Sequence, residues 1–186
     1  VKKILNIISG KPKTIPDFTF TLSLNEDESE SKNFNKVKMP ENTTLTIEGK
    51  DFTTITETGE AVIGKEVSKL FAPITFEEAG TYAFNVTESD PKKTNWTYDK
   101  TEWTVIVNVV SDKDGKLEAK ITEIYKALPN NDKDKLDDIS AVPFTNTYEA
   151  GSLTISKQVT GAGDKDKPFQ FKLVLLNADD TPLSTS

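Results

Sequence analysis

Apolar and polar residues alternate with a period of two through most of this chain. Val1, Lys3, Leu5 and Ile7 share one parity, and after a loop rich in Gly, Pro and Lys the row Phe18, Phe20, Leu22, Leu24 resumes it. Rows of the same kind cover residues 43–47, 74–76, 82–88, 103–110, 117–125 and 142–148. Successive side chains of a strand point to opposite faces, so each row predicts a half-buried strand. Helical signal is scarce. Residues 64–71 are predicted to make about two turns before Pro73 stops them, and the acidic stretch 25–32 and the charged stretch 126–140 are predicted as loops. Long runs of strands without helices between them disfavour a parallel α/β sheet and predict an all-β sandwich.

The opening of the chain recurs near its end. Residues 152–173, SLTISKQVTGAGDKDKPFQFKL, restate VKKILNIISGKPKTIPDFTFTL. Aligning Phe18 and Phe20 on Phe169 and Phe171 brings Lys3 opposite Lys157, with a longer loop in the first copy. This repeat predicts one complete domain over 1–150 and, over 151–186, the first strands of a second, joined by a very short linker. The chain opens directly in a strand-like segment, so a signal peptide is expected to lie outside it.

Composition narrows the chemistry. The formal net charge is -7, and every basic residue is Lys. An acidic surface without Arg argues against nucleic acid. With no Cys and no His, disulfides, thiolate nucleophiles, Ser-His-Asp triads and the usual zinc sites are excluded, and no cofactor or metal is expected. No apolar run approaches the roughly 20 residues that span a bilayer.

Three polar residues fall in register with apolar rows. Lys3 lies among Val1, Leu5 and Ile7; Glu88 ends the row Tyr82, Phe84, Val86; Asn146 sits within Val142, Phe144, Tyr148. Lys157 has the parity of Leu153, Ile155 and Val159. For any one of them a strand end reaching solvent is an equal reading, and Lys2 beside Lys3 is separated from it only by parity and by the repeat. Together they hold the reagents of one reaction, in which a neutral Lys amine attacks the Asn carboxamide and ammonia leaves. Burial disfavours charge, so an interior Lys loses its proton readily and an interior carboxyl keeps its own. Protonated Glu88 could then donate to the Asn146 oxygen and shuttle protons from the amine to the departing ammonia.

The sequence Phe76, Gly80, Tyr82, Phe84, Val86, Glu88, with Phe144, Thr145, Asn146 near the domain's end and Phe18 to Phe20 after the leading Lys strand, resembles the streptococcal pilin isopeptide-linkage domains of major pilus subunits (FctA-like). The resemblance runs from Val1 to about Glu149 and restarts at Ser152. It implies an Ig-like, CnaB-like β-sandwich with Lys3 on the first strand, Asn146 on the last, and Glu88 across the core as the catalytic acid of a Lys-Asn isopeptide bond. Lys157 would be a second-domain donor whose partners do not follow in this chain. The function implied is a structural module of a Gram-positive cell-surface pilin or adhesin stalk, extracellular, without enzymatic turnover. Its expected partners are neighbouring pilin or surface-protein domains, with a host receptor or matrix as a further class.

The alternative is a binding sandwich for host protein or glycan in which the trio is only hydrogen-bonded. Trp96, Tyr98 and Trp103 could form a sugar-stacking platform, although core packing explains them more cheaply. Asp112, Asp114 and Gly115, or Asp132, Asp134 and Asp137, could offer Ca²⁺ oxygens, yet a solvated turn explains them better. Asn42, Asn85 and Asn95 open glycosylation triplets of a kind that arises by chance in an Asn- and Thr-rich chain.

Overall fold

The computed structural model describes residues 1–29, 34–55, 61–129 and 132–151, together with 156, 158, 160, 168–172 and 174. The strands are β1 (Lys2–Ser9), β2 (Phe18–Asn25), β3 (Val37–Lys38), β4 (Thr44–Ile47), β5 (Thr53–Ile55), β6 (Ala61–Ile63), β7 (Glu66–Ser68), β8 (Thr75–Phe76), β9 (Gly80–Glu88), β10 (Trp96–Thr97), β11 (Trp103–Ser111), β12 (Leu117–Ala127), β13 (Lys133–Lys135) and β14 (Pro143–Glu149). Two 3₁₀ turns, Phe34–Lys36 and Gly49–Phe52, are the helical elements among the described residues.

Two sheets make the sandwich. One has the order β10-β14-β1-β7 and the other β13-β12-β11-β9-β2-β4; β3-β8 and β5-β6 form small separate pairs. The alternation read from the sequence is what packs them. Phe18, Phe20 and Leu22 from β2, Tyr82, Phe84 and Val86 from β9, and Val105 and Val107 from β11 fill the core from the larger sheet. Leu5 and Phe144 meet them from the smaller one. On β12 the parity breaks at a bulge opposite Ile106 and Val107, where the register passes from Glu123 to Ile121. One extra residue turns Ile121 and Ile124 toward the same face.

The first and last long strands are parallel neighbours, with Lys3 paired to Phe144 and Leu5 to Asn146. This pairing sets Lys3 and Asn146 on one face, a pleat apart. The two strands also end together. Ser9 Oγ donates to the Ala150 carbonyl at 2.6 Å, and Gly10 takes a left-handed φ of 70°, where a Cβ would meet Ala150.

The structure corrects two expectations. Residues 64–71 form no helix: β7 lies antiparallel on the free edge of β1, held by Leu5 N to Lys65 O and Lys69 N to Val1 O. Two turns of isolated helix are too short to persist, whereas an open strand edge offers unpaired donors and acceptors. The stretch 126–140 is not all loop either. β12 runs on to Ala127 and β13 pairs back on it, Tyr125 opposite Lys135, making a charged edge strand of the kind that discourages further pairing.

The chain divides into Val1–Ser152 and Leu153–Ser186. In the second unit Phe169 and Phe171, the counterparts of Phe18 and Phe20, are exposed and in no strand. Lys157 lies outside the described residues.

Candidate functional site

Three strands deliver three polar groups to one point in the sandwich. Lys3 from β1 and Asn146 from β14 are fully buried, and the Glu88 side chain is equally closed off. Glu88 ends β9 opposite Phe20, on the inward face of the larger sheet. Lys3 Nζ donates to Glu88 Oε2 at 2.9 Å, and Asn146 Nδ2 donates to Glu88 Oε1 at 2.7 Å. The amine and the amide nitrogen therefore rest on the two oxygens of a single carboxyl. Aromatic rings wall the amine: Nζ lies 4.9 Å from the centre of the Phe18 ring and 5.9 Å from that of Phe20.

Lys2, the competing residue, turns outward to pair with Glu66 at 3.1 Å. Parity thus separates the two lysines as the sequence suggested. Burial brings the Lys3 amine down to about 8, against the raising influence of its hydrogen bond to Glu88 and of the charges on Glu88 and Asp99. Burial also pushes the Glu88 carboxyl up, outweighing the Lys3 and Asn146 contacts that act in the other direction. Both shifts bring a neutral amine beside a protonated carboxyl closer in energy to the ion pair.

One expectation about hydrogen bonding changes. The Asn146 oxygen does not face Glu88; it accepts from the backbone N–H of Asp99 at 2.8 Å. A backbone N–H can only donate, so the atom it meets must be Oδ1, and Nδ2 is left to face the carboxyl. The carboxamide is gripped at both ends: its oxygen by a fixed donor, its nitrogen by a group able to accept and return protons.

Asp99 was missed by sequence reasoning. It lies between β10 and β11, in a segment with no period to read, and acts through its backbone. The spacing Asp99-Lys100-Thr101 was the available signal, because Asp commonly accepts from the N–H two residues on. Here Asp99 Oδ1 does accept from Thr101 N at 2.9 Å, and Oδ2 accepts from Thr145 N at 2.9 Å. Burial acts to raise the Asp99 carboxyl, but these hydrogen bonds prevail and hold it below its ordinary value.

The other candidates take structural roles. Tyr98 and Trp103 are buried, and Trp96 packs edge-on against Phe18 and tilted on Tyr148, so they present no open stacking platform. Asp112 Oδ1 accepts from Asp114 N and Lys116 N in a turn, and Asp134 pairs with Lys126 at 3.0 Å. Among the described residues no cluster of three or more acidic side chains is set to hold a metal. The Asn85 amide is engaged by Asn25, Glu102 and Thr104, and Asn42 caps Thr44.

Known proteins share this fold. A pilin of Streptococcus pyogenes serotype M1 is 34% identical over 110 residues, which cover 56% of this chain and 29% of that protein. The crystal structure of the Streptococcus pyogenes major pilin superposes with a TM-score of 0.50 at 23% identity, covering 80% of this chain and 49% of the pilin. An Asn-to-Ala mutant of that pilin gives 0.53 at 24% identity over the same shares. At such identities the superpositions speak for the fold. The chain spans about half the length of these solved pilins and under a third of the serotype M1 protein. Residues 1–149 match the family model of FctA, the Spy0128-like isopeptide containing domain, and the chain belongs to that family.

Proposed function

We propose that residues 1–150 are a structural module of a Gram-positive cell-surface pilus or stalk, and that the module closes an isopeptide bond between Lys3 and Asn146 with Glu88 as acid and base. The observation that carries this reading is the shared carboxyl: Lys3 Nζ and Asn146 Nδ2 sit 2.9 and 2.7 Å from its two oxygens. Transfer of a proton from Lys3 to Glu88 frees the amine to attack Asn146 Cγ. A Cγ–Nζ bond forms and the Cγ–Nδ2 bond breaks. Glu88 then takes one proton from the attacking nitrogen and delivers one to Nδ2, so ammonia leaves neutral and the carboxyl ends protonated, keeping the proton that Lys3 gave up at the start. Reaction replaces a buried amine and a primary amide with one secondary amide, removing groups that are costly to bury.

Residues 151–186 are the start of a second module, and neighbouring modules of the same surface polymer are the partners. Membership in the family, the pilin likeness and the strand pairing of the first domain's ends support an extracellular load-bearing role.

Intact-mass measurement tests the bond. The purified chain is expected to be lighter by one ammonia than its sequence mass, and Glu88→Ala is expected to restore the full mass. Full mass in a folded wild-type chain would overturn the reading.

A further inference from the structure

Asp99 connects to the reacting amide twice. Its N–H donates to Asn146 Oδ1 at 2.8 Å, and its carboxylate receives the N–H of Thr145, the residue before Asn146, at 2.9 Å. The reason for this lies in the sheet. β10 pairs with β14 only at Trp96–Tyr148 and Thr97–Thr147, so toward the start of β14 the ladder loses its neighbour. The Asp99 carboxylate supplies the acceptor for Thr145 N–H that a continuing β10 would have offered. It also accepts from Thr101 N at 2.9 Å, which folds the segment back and points the Asp99 N–H inward at the carboxamide oxygen.

We propose that the backbone N–H of Asp99 stabilises the oxyanion formed on Asn146 Oδ1 during crosslinking, and that the Asp99 carboxylate is the brace that holds this N–H in place. The inference rests on the Lys3–Asn146 reading and assigns a function to a group that reading left out. When Nζ adds to Cγ, the carbonyl electrons move onto Oδ1. A donor already fixed at hydrogen-bond distance in a dry site meets that charge without rearranging. Glu88 cannot serve there, because both of its oxygens face nitrogen atoms. The labour is thus divided: Glu88 handles protons on the nitrogen side, and Asp99 N–H handles charge on the oxygen side. The carboxylate charge of Asp99 has a second consequence, since it favours keeping a proton on the Lys3–Glu88 pair.

The test follows ammonia loss over time in freshly translated full-length chain, sampled into acid and read by intact mass. Asp99→Ala keeps the N–H but loses the brace, and is expected to close at least about tenfold more slowly than wild type, short of the roughly 10²–10³-fold cost of removing an oxyanion donor outright. Asp99→Asn keeps one acceptor oxygen and is expected to fall between the two. A readout blind to general stability is the Asn146 side-chain carbonyl ¹³C resonance in a Lys3→Met background, where no bond can form. Loss of the brace is expected to move it upfield as polarisation weakens. Should Asp99→Ala fail to fold, Asp99→Asn reads the same two quantities. Closure at the wild-type rate with an unmoved carbonyl resonance would overturn the role of Asp99 while leaving the crosslink standing. Absence of ammonia loss from the wild-type chain itself would instead bring down the parent reading.

Discussion

Lys3 is an amine placed where an amine is least comfortable, under two Phe rings and with no exposed surface. In an Asn146→Ala chain it has no carboxamide to react with and must stay there. Its folded value of about 8 lies below the unfolded 10.5, so between those two pH values the unfolded chain binds the additional proton and stability rises with pH. Glu88 acts oppositely: its folded value is raised above 4.5, so the folded chain holds the additional proton and stability falls as pH climbs from there. Melting temperatures of Asn146→Ala are therefore expected to rise from pH 8 to 10.5 relative to those of the Lys3→Met, Asn146→Ala double variant, in which the other lysines titrate alike. Parallel curves would show that Lys3 is not a desolvated amine. The trio was legible in the sequence because period-two alternation survives in β1, β9 and β14, and a polar residue in an apolar row stands out. Asp99 was harder to read, since its backbone donor leaves no pattern and the Asp-x-Thr spacing signals only a turn.

Elements were readable where their partners did not matter. The long strands β2, β9, β11 and β14 announce themselves by alternation, but β7 exists only because the edge of β1, distant in sequence, needs a partner. β8 falls within the row read at 74–76, but its partner β3 and the pair β5-β6 were equally hidden, being two or three residues long. The 3₁₀ turn Gly49–Phe52 shows how tightly such connections are fitted. Gly49 N donates to Asp17 Oδ1 at 2.8 Å, and a Cβ at Gly49 would collide with the Ile15 carbonyl oxygen. Because the obstacle is backbone, relief requires moving the β1–β2 connection. Gly49→Ala, placed in the Asn146→Ala background so that no crosslink masks the effect, is expected to lose about 2 kcal/mol or more in denaturant unfolding. An unchanged midpoint would mean that this approach is looser than it looks.

At the scale of the molecule, the parallel pairing of β1 with β14 decides how force travels. Pulling on the two ends of the domain loads these neighbours in shear, and an amide between Lys3 and Asn146 carries the load past everything between them. Closing so long a loop also disfavours the unfolded state by about 5 kcal/mol in the loop-entropy account. Single-molecule stretching of the domain between handles is expected to release no hidden length in wild type and nearly the whole domain in Lys3→Ala. Equal unfolding lengths would leave the sheet, not the bond, as the bearing element. The sandwich could be read from the alternation, whereas the strand order could not, because it depends on pairings that local sequence does not encode.

Peptide mapping of the purified wild-type chain tests the central claim most directly. After digestion, tandem mass spectrometry is expected to find a branched peptide in which the Lys3 side chain is joined to the Asn146 side chain with loss of ammonia, and to lose that species in Glu88→Ala. Recovery of the two segments as separate linear peptides, with Lys3 and Asn146 unmodified, would contradict the account.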